Sequence, residues 1–131
     1  MIAYLDTSAL VKLVHAEPES GALRRWLTDG DVAVVTSVVG RIELMRVALV
    51  TGGVAPARAA QVMQAVTVIP LSEQVQSVAC VLPPSVLRSL DAIHVGTALA
   101  VGDTVGAFVT YDARMADAAR AAGLDPLAPG R

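Results

Sequence analysis

The 131-residue sequence contains one cysteine, few aromatic residues and few charges. The single cysteine, Cys80, excludes an internal disulfide bond, and its apolar helical surroundings predict a small buried residue rather than a nucleophile. Aromatic residues make up 3% and hydrophobic residues 54% of the chain, which predicts a core of valine, leucine, isoleucine and alanine. Charged residues make up 17%, against about 25% in an average globular chain. A surface with so few charges suggests that a partner covers part of it.

A long apolar run and an excess of basic charge are also missing. No uninterrupted apolar stretch reaches about 18 residues, so no membrane span is predicted. The short apolar run at the N-terminus has no basic region before it and does not resemble a signal peptide, so we expect a soluble cytoplasmic protein. The formal net charge of −2 excludes a global basic field for nucleic acid, although a bound metal ion can invert the sign locally.

Apolar strands alternate with helices or helix pairs along the chain. This order predicts an α/β fold in one domain spanning residues 1–131, with three α/β/α layers and right-handed crossovers around a mostly parallel sheet of four to five strands. The predicted strands are Ile2–Leu5, Val32–Thr36, Val66–Pro70 and Ala107–Thr110, with a short edge strand at Leu124–Leu127. The helix predicted from about Ser85 to Val101 is the longest.

The predicted fold would bring four acidic residues close together. Asp6 directly follows the first predicted strand, and Asp112 follows the fourth and opens the last helix. Ligand sites of open α/β sheets lie at the carboxyl ends of the strands. Glu43 lies in an apolar helix after the second strand, and Asp91 lies near the start of the longest helix. Carboxylate oxygens without sets of histidine or cysteine suit Mg²⁺ or Mn²⁺. Four acids exceed the needs of one such ion, so a second ion bound with the substrate remains open.

Each acid also has an ordinary structural explanation. Asp6 and Asp112 are good residues for a helix N-cap. Asp91 would interact favourably with the dipole of its helix. Glu43 would be accommodated on the solvent-facing side of an amphipathic helix, because a buried carboxylate needs a partner. The residues alone leave these explanations open beside the metal site.

Four short motifs carry a resemblance to a known family. They occur in the family's order across nearly the whole chain: YLDTSAL at Tyr4–Leu10, RIEL at Arg41–Leu44, LDAIHVGTAL at Leu90–Leu99 and VTYDARMADAA at Val109–Ala119. The combination resembles PIN-domain ribonucleases, and most of all the VapC-type toxins of bacterial toxin–antitoxin pairs. The resemblance implies an endoribonuclease that depends on Mg²⁺ or Mn²⁺ and cuts RNA.

The resemblance also implies residue roles and partners. It carries catalytic roles to Asp6, Glu43, Asp91 and Asp112, and metal ligation to the three aspartates of this set. Thr7 and Thr110 are implied to orient carboxylates or phosphate. Proteins of this type are similar in forming homodimers and in being silenced by a cognate antitoxin whose tail enters the acidic site.

Three nearby residues are weaker candidates. Arg114 is placed to contact an RNA phosphate or to remain solvated. Asp117 follows Asp112 by five residues, which puts it too far around the helix to be a ligand. His94 follows Asp91 by three residues on the same helix face, and we expect it to pack beside the site or support it rather than to bind metal or act as a general base.

Two other classes of protein compete with this interpretation. A PIN-like RNA or protein scaffold without activity would be expected to lack some of the acids, yet all four are present. An aspartyl-phosphate phosphatase or receiver also places an aspartate after its first strand and is similar in needing a lysine near the phosphate. The one lysine here, Lys12, lies in the first helix. A nuclease directed at DNA remains open, because carboxylates do not read a 2′-hydroxyl.

Overall fold

The computed structural model describes all 131 residues and contains seven helices and five short strands. The strands are β1 (Ile2–Leu5), β2 (Ala33–Ser37), β3 (Val66–Ile69), β4 (Val105–Val109) and β5 (Pro126–Leu127). The helices are α1 (Thr7–Val14), α2 (Ser20–Asp29), α3 (Val38–Thr51), α4 (Ala55–Gln64), α5 (Glu73–Val81), α6 (Ser89–Val101) and α7 (Ala113–Ala121). None of the helices combines the length and the apolar character that crossing a membrane would need.

The strands form one parallel sheet in the order β3-β2-β1-β4-β5. The first strand of the chain is therefore the central strand. Ile2 of β1 pairs with Ala33 of β2 on one side and with Val105 of β4 on the other. The predicted α/β fold with a parallel central sheet is confirmed. Because all strands run in the same direction, their carboxyl ends lie along one edge of the sheet.

Two hydrophobic clusters cover the opposite faces of the sheet, which makes the three layers. Successive side chains of a strand point to opposite faces, so Leu5 packs with Leu10 and Leu44 on one face. Tyr4 packs on the other face with Val95 and with Phe108, and the stacked rings of Tyr4 and Phe108 have centroids 5.1 Å apart. The central strands are thereby packed between two helical layers.

Two predictions about the second half of the chain are wrong. Cys80 is exposed rather than buried, because α5 fully buries only Val75 and packs on α6 through Ala79, which leaves Cys80 on the solvent side. The helix expected from Ser85 begins at Ser89 instead, because residues 82–88, which include two consecutive prolines, run as bends and turns. At 13 residues α6 is consequently shorter than α3, which has 14.

Gly40 permits the close contact of α3 with the sheet and with α6. A Cβ atom at this position would collide with Thr36 Oγ1 and lie 3.3 Å from His94 Cε1. Thr36 cannot easily turn away, because its hydroxyl donates a 2.7 Å hydrogen bond to the carbonyl of Leu5. Gly40→Ala is therefore expected to lower the free energy of unfolding by about 1–3 kcal/mol, although alanine is intrinsically the better helix residue.

Urea unfolding monitored by circular dichroism would measure this loss. Gly21→Ala in α2 is the matched control, because its Cβ would meet only the end of the flexible Arg25 side chain at 3.4 Å. The control is expected to be as stable as the parent or slightly more stable. A Gly40→Ala protein as stable as the control would show that the contact has room to adjust.

Candidate active site

Asp6 is the buried acid of the site. It directly follows β1, caps α1 and is 2% exposed. Its Oδ1 accepts hydrogen bonds from Ser8 Oγ at 2.6 Å and from the backbone N–H of Ala9 at 3.0 Å, while its Oδ2 accepts one from Thr110 Oγ1. Burial raises the pKa of Asp6, although the hydrogen bonds from Ser8 and Thr110 oppose the shift. Asp6 is thus both a helix cap and a carboxylate held at the sheet edge.

Thr110 connects Asp6 with Asp112. Its hydroxyl donates to Asp6 and accepts a hydrogen bond from the backbone N–H of Asp112 at 3.1 Å. Asp112 lies three residues after the adjacent strand β4 and caps α7, with Oδ1 accepting from the backbone N–H groups of Arg114 and Met115. The Thr110 hydroxyl therefore links the carboxylate of Asp6 to the backbone of Asp112.

Glu43 reaches the same edge from α3. Its Oε1 accepts a hydrogen bond from Thr7 Oγ1 at 2.6 Å and lies 3.0 Å from His94 Nε2. The hydrogen bond from His94 is the main cause of the lowered pKa of Glu43, with burial opposing it and Thr7 adding to it. Thr7 therefore orients Glu43 rather than Asp6, which its sequence position alone does not reveal.

Asp91 lies in the first turn of α6, where it experiences the charge of other acids. Burial raises its pKa, and the nearby negative charges of Asp112 and Glu43 raise it further, while His94 and Arg88 act in the opposite direction. This is the electrostatic pattern of carboxylates that repel one another. A cation placed among these groups would remove the repulsion.

A cleft of about 760 Å³ opens beside Asp91 and Asp112. One wall is apolar and combines the loop before α6 with the side of α7, through Pro83, Pro84, Val86, Leu87, Ala118 and Ala121. The charged lining consists of Arg88, Asp91, Asp112, Arg114 and Asp117. Asp117 is 81% exposed and pairs with Arg120 at 3.2 Å, so its charge is already balanced on the surface.

The donor chemistry of this edge fits a hard divalent cation. The available oxygens are carboxylates, and both ring nitrogens of His94 lie within hydrogen-bonding distance of Tyr4 or Glu43. No three side chains of His, Cys, Asp or Glu stand close enough together to form a ligand set for an ion. The fold thus gathers the acids at one edge, but their side chains do not form a finished coordination sphere.

Sequence reasoning missed one hydroxyl in this network. Ser8 Oγ donates to Asp6 and accepts a hydrogen bond from the backbone N–H of Tyr111 at 2.9 Å, so it ties the start of α1 to the segment after β4. The signal was present as a serine two residues after a capping aspartate. Its second partner lies 103 residues away and could not be read from the sequence.

Comparison with known proteins gives a family and several relatives. The PIN-domain family model matches residues 3–121 of the chain. Ribonuclease VapC47 of Mycobacterium tuberculosis (strain CDC 1551 / Oshkosh) is 42% identical over 132 residues, which cover 97% of this chain and 96% of that protein. The matched region contains all the acids of the site described above.

Solved structures share the fold at low sequence identity. The structure of VapBC-1 from nontypeable Haemophilus influenzae gives a TM-score of 0.74 at 16% identity and covers 98% of both chains. A toxin–antitoxin complex from Klebsiella pneumoniae gives a TM-score of 0.68 at 20% identity and covers 87% of this chain and 89% of that one. At such identities the structures support the architecture alone.

Proposed function

Because this chain belongs to the PIN-domain family and is related to a VapC ribonuclease over nearly its whole length, we propose that it is a metal-dependent endoribonuclease and the toxin of a toxin–antitoxin pair. The observation that carries the proposal is the gathering of Asp6, Asp91 and Asp112 at one edge of a parallel sheet. Burial and the charge of Asp112 raise the pKa of Asp91, and the Thr110 hydroxyl links the Asp6 carboxylate to the backbone N–H of Asp112.

The three aspartates are the proposed holders of Mg²⁺ or Mn²⁺. When bound, such an ion lowers the pKa of a coordinated water and neutralises charge that develops on the phosphate. Glu43, kept ionised by its lowered pKa, takes a proton from the attacking water. The water oxygen then bonds to phosphorus, the bond from phosphorus to the leaving ribose oxygen breaks, and that oxygen takes a proton from solvent.

The cleft is the proposed binding site for the RNA strand. Arg88 and Arg114 are exposed and flank Asp91 and Asp112, so they are placed to contact phosphates on either side of the scissile bond. The apolar wall offers a surface for a base, although no aromatic side chain lines it. We therefore expect recognition through backbone contacts and RNA shape rather than through stacking on a ring.

Protein partners are proposed for the exposed apolar side chains. Leu49, Val50 and Val54, at and just beyond the end of α3, are 65%, 86% and 63% exposed. Exposed apolar side chains so near one another in the chain suit an interface. We propose a homodimer and a cognate antitoxin as the partners that cover such surfaces, with the antitoxin tail also reaching the acid edge, and a cytoplasmic location for the complex.

Lys12 argues against an aspartyl-phosphate mechanism. Its side chain is buried, and its Nζ lies 3.0 Å from Glu17 and 2.9 Å from Glu19. Because two carboxylates already pair with this ammonium group, it is not available to bind a phosphoryl group. The inactive scaffold is then the principal alternative to the nuclease.

Cleavage of a pool of structured and single-stranded RNA, assayed with Mg²⁺, with Mn²⁺ and with EDTA, tests the proposal. We expect cutting with either ion, none with EDTA, and none by Asp6→Asn purified in the same way. DNA of the same sequences should remain intact if the enzyme requires ribose. Binding of RNA with no metal-dependent cutting, in protein free of any co-purified inhibitor, would favour the inactive scaffold.

A further inference from the structure

A buried hydrogen-bond chain runs from the centre of the sheet to Glu43. Tyr4 Oη lies 2.6 Å from His94 Nδ1, and His94 Nε2 lies 3.0 Å from Glu43 Oε1 and 3.2 Å from Thr7 Oγ1. Tyr4 is fully buried and His94 is 2% exposed. The chain thus joins β1, α6 and α3 through one imidazole ring that the proposed mechanism does not itself use.

The chemistry of the partners determines where the ring carries a proton. Thr7 donates its only hydroxyl proton to Glu43 Oε1, so neither Thr7 nor the ionised carboxylate can donate to His94. Nε2 must therefore carry the proton that fills the 3.0 Å contact, because two lone pairs would otherwise face each other. Burial raises the pKa of Tyr4, which keeps its hydroxyl protonated and available to donate to Nδ1.

We propose that His94 is a positioning residue: its Nε2 proton, together with the Thr7 hydroxyl, holds Oε1 of Glu43, so that Oε2 is the oxygen that receives the proton of the attacking water. Oε2 accepts no hydrogen bond from the protein, and the Glu43 side chain is 33% exposed. The inference rests on the proposed nuclease function. It adds that the two carboxylate oxygens of Glu43 have different roles: Oε1 is held in place and Oε2 accepts the proton.

The packing around the ring supports a positional role. Gly40, one turn before Glu43 on α3, leaves room for His94, whose Cε1 would lie 3.3 Å from a Cβ there. On the other side, the edge of the His94 ring meets the ring of Tyr4, with centroids 5.8 Å apart and planes at 78°. The imidazole is therefore enclosed on both sides, and the direction of its Nε2–H bond is set by packing as well as by Tyr4.

Two substitutions at this position separate the two contacts of the ring. The amide nitrogen of His94→Gln takes the place of Nε2 and keeps the hydrogen bond to Glu43. The amide nitrogen of His94→Asn takes the place of Nδ1 and reaches only Tyr4. We expect kcat of the glutamine variant to stay within about threefold of the parent, and kcat of the asparagine variant to fall about 10- to 100-fold with KM little changed.

Thermal unfolding of both variants provides the control for packing. Each lacks part of the ring, so a purely structural role would lower stability and rate together in both. Equal kcat losses in the two variants, or no loss in either, would overturn the proposal. So would a loss expressed only in KM, because Glu43 is proposed to act in the chemical step.

Nitrogen chemical shifts of His94 in the ¹⁵N-labelled parent protein test the proton assignment without any cleavage assay. We expect a protonated Nε2 and an Nδ1 that accepts a hydrogen bond. A ring protonated only at Nδ1 would overturn the proposal even if RNA is cut. Failure of the proposed function looks different, because Nε2 would carry its proton as expected while the parent protein cuts no RNA in any metal.

Discussion

Asp91→Asn is expected to reduce RNA cleavage on the order of a thousandfold. The asparagine keeps the size and the position of the side chain in the first turn of α6. It loses the negative charge that would hold the cation opposite Asp112. Single-turnover cleavage with saturating enzyme would measure the loss at the chemical step, free of changes in RNA binding.

The same substitution is expected to leave the metal-free fold intact and to stabilise it at neutral pH. Burial and the charge of Asp112 raise the pKa of Asp91 in the folded protein. The folded state therefore binds the Asp91 proton more tightly than the unfolded state does, and stability falls as pH rises from the ordinary aspartate pKa through the raised one. Asparagine removes this dependence, so the variant should unfold at equal or higher urea concentration at pH 7 in EDTA.

Asp117→Asn is the matched control for the loss of one negative charge in the same cleft. Asp117 lines the cleft but is largely exposed and already paired with Arg120. We expect its cleavage rate to stay within about threefold of the parent. Equal losses in both variants would indicate a general charge effect, and a fully active Asp91→Asn protein would remove Asp91 from the catalytic site.

Lys12→Met is expected to give the largest loss of stability, about 2–4 kcal/mol. The lysine is buried with its Nζ between Glu17 and Glu19, and 4.7 Å from the centroid of the Tyr111 ring. Methionine fills the space of the aliphatic stem but removes the cation that the two carboxylates share, and only Glu19 keeps another cationic partner, Arg131 at 3.3 Å. Urea unfolding at neutral pH would measure the difference from the parent.

The difference in free energy of unfolding between the parent and Lys12→Met is expected to decrease at high pH. Burial alone would lower the pKa of Lys12, but the hydrogen bonds to Glu19 and Glu17 outweigh it and raise the pKa. The stabilisation is therefore present at neutral pH and is lost only as pH rises through the raised value, above the usual lysine pKa of about 10.4. Arg58→Met, at an exposed position of α4, should change stability by less than about 0.5 kcal/mol.

The strand ends of the site were predictable from local sequence. Apolar runs followed by Asp6 and by Asp112 indicated parallel strands that end at one edge, and the structure places both residues there. Each is also a helix cap, so the structural explanation and the site hypothesis are compatible for the same carboxylate. The cap role and the position in the site have the same local origin, because each aspartate lies where the chain passes from a strand to a helix.

The partners of the acids were not predictable, because they lie far apart in the sequence. Thr7 and Glu43 are separated by 36 residues, and Tyr4 and His94 by 90. Such contacts depend on how α3 and α6 cross the sheet, which periodicity does not determine. The ion cluster of Lys12 was missed for a different reason: Glu17 and Glu19 are only five and seven residues away, but they lie in the irregular segment and helix start that follow α1, where helical periodicity does not apply.

The central position of β1 determines how late in synthesis the sheet and the acid edge can be completed. One neighbour of β1 begins at Ala33, but the other begins at Val105. Contacts that close over about 100 residues form late and slowly. Until β4 has left the ribosome, Asp6 has neither the Thr110 hydroxyl nor Asp112 beside it. A nascent or truncated chain therefore has no assembled acid edge, and the complete site appears only when nearly the whole chain has been translated.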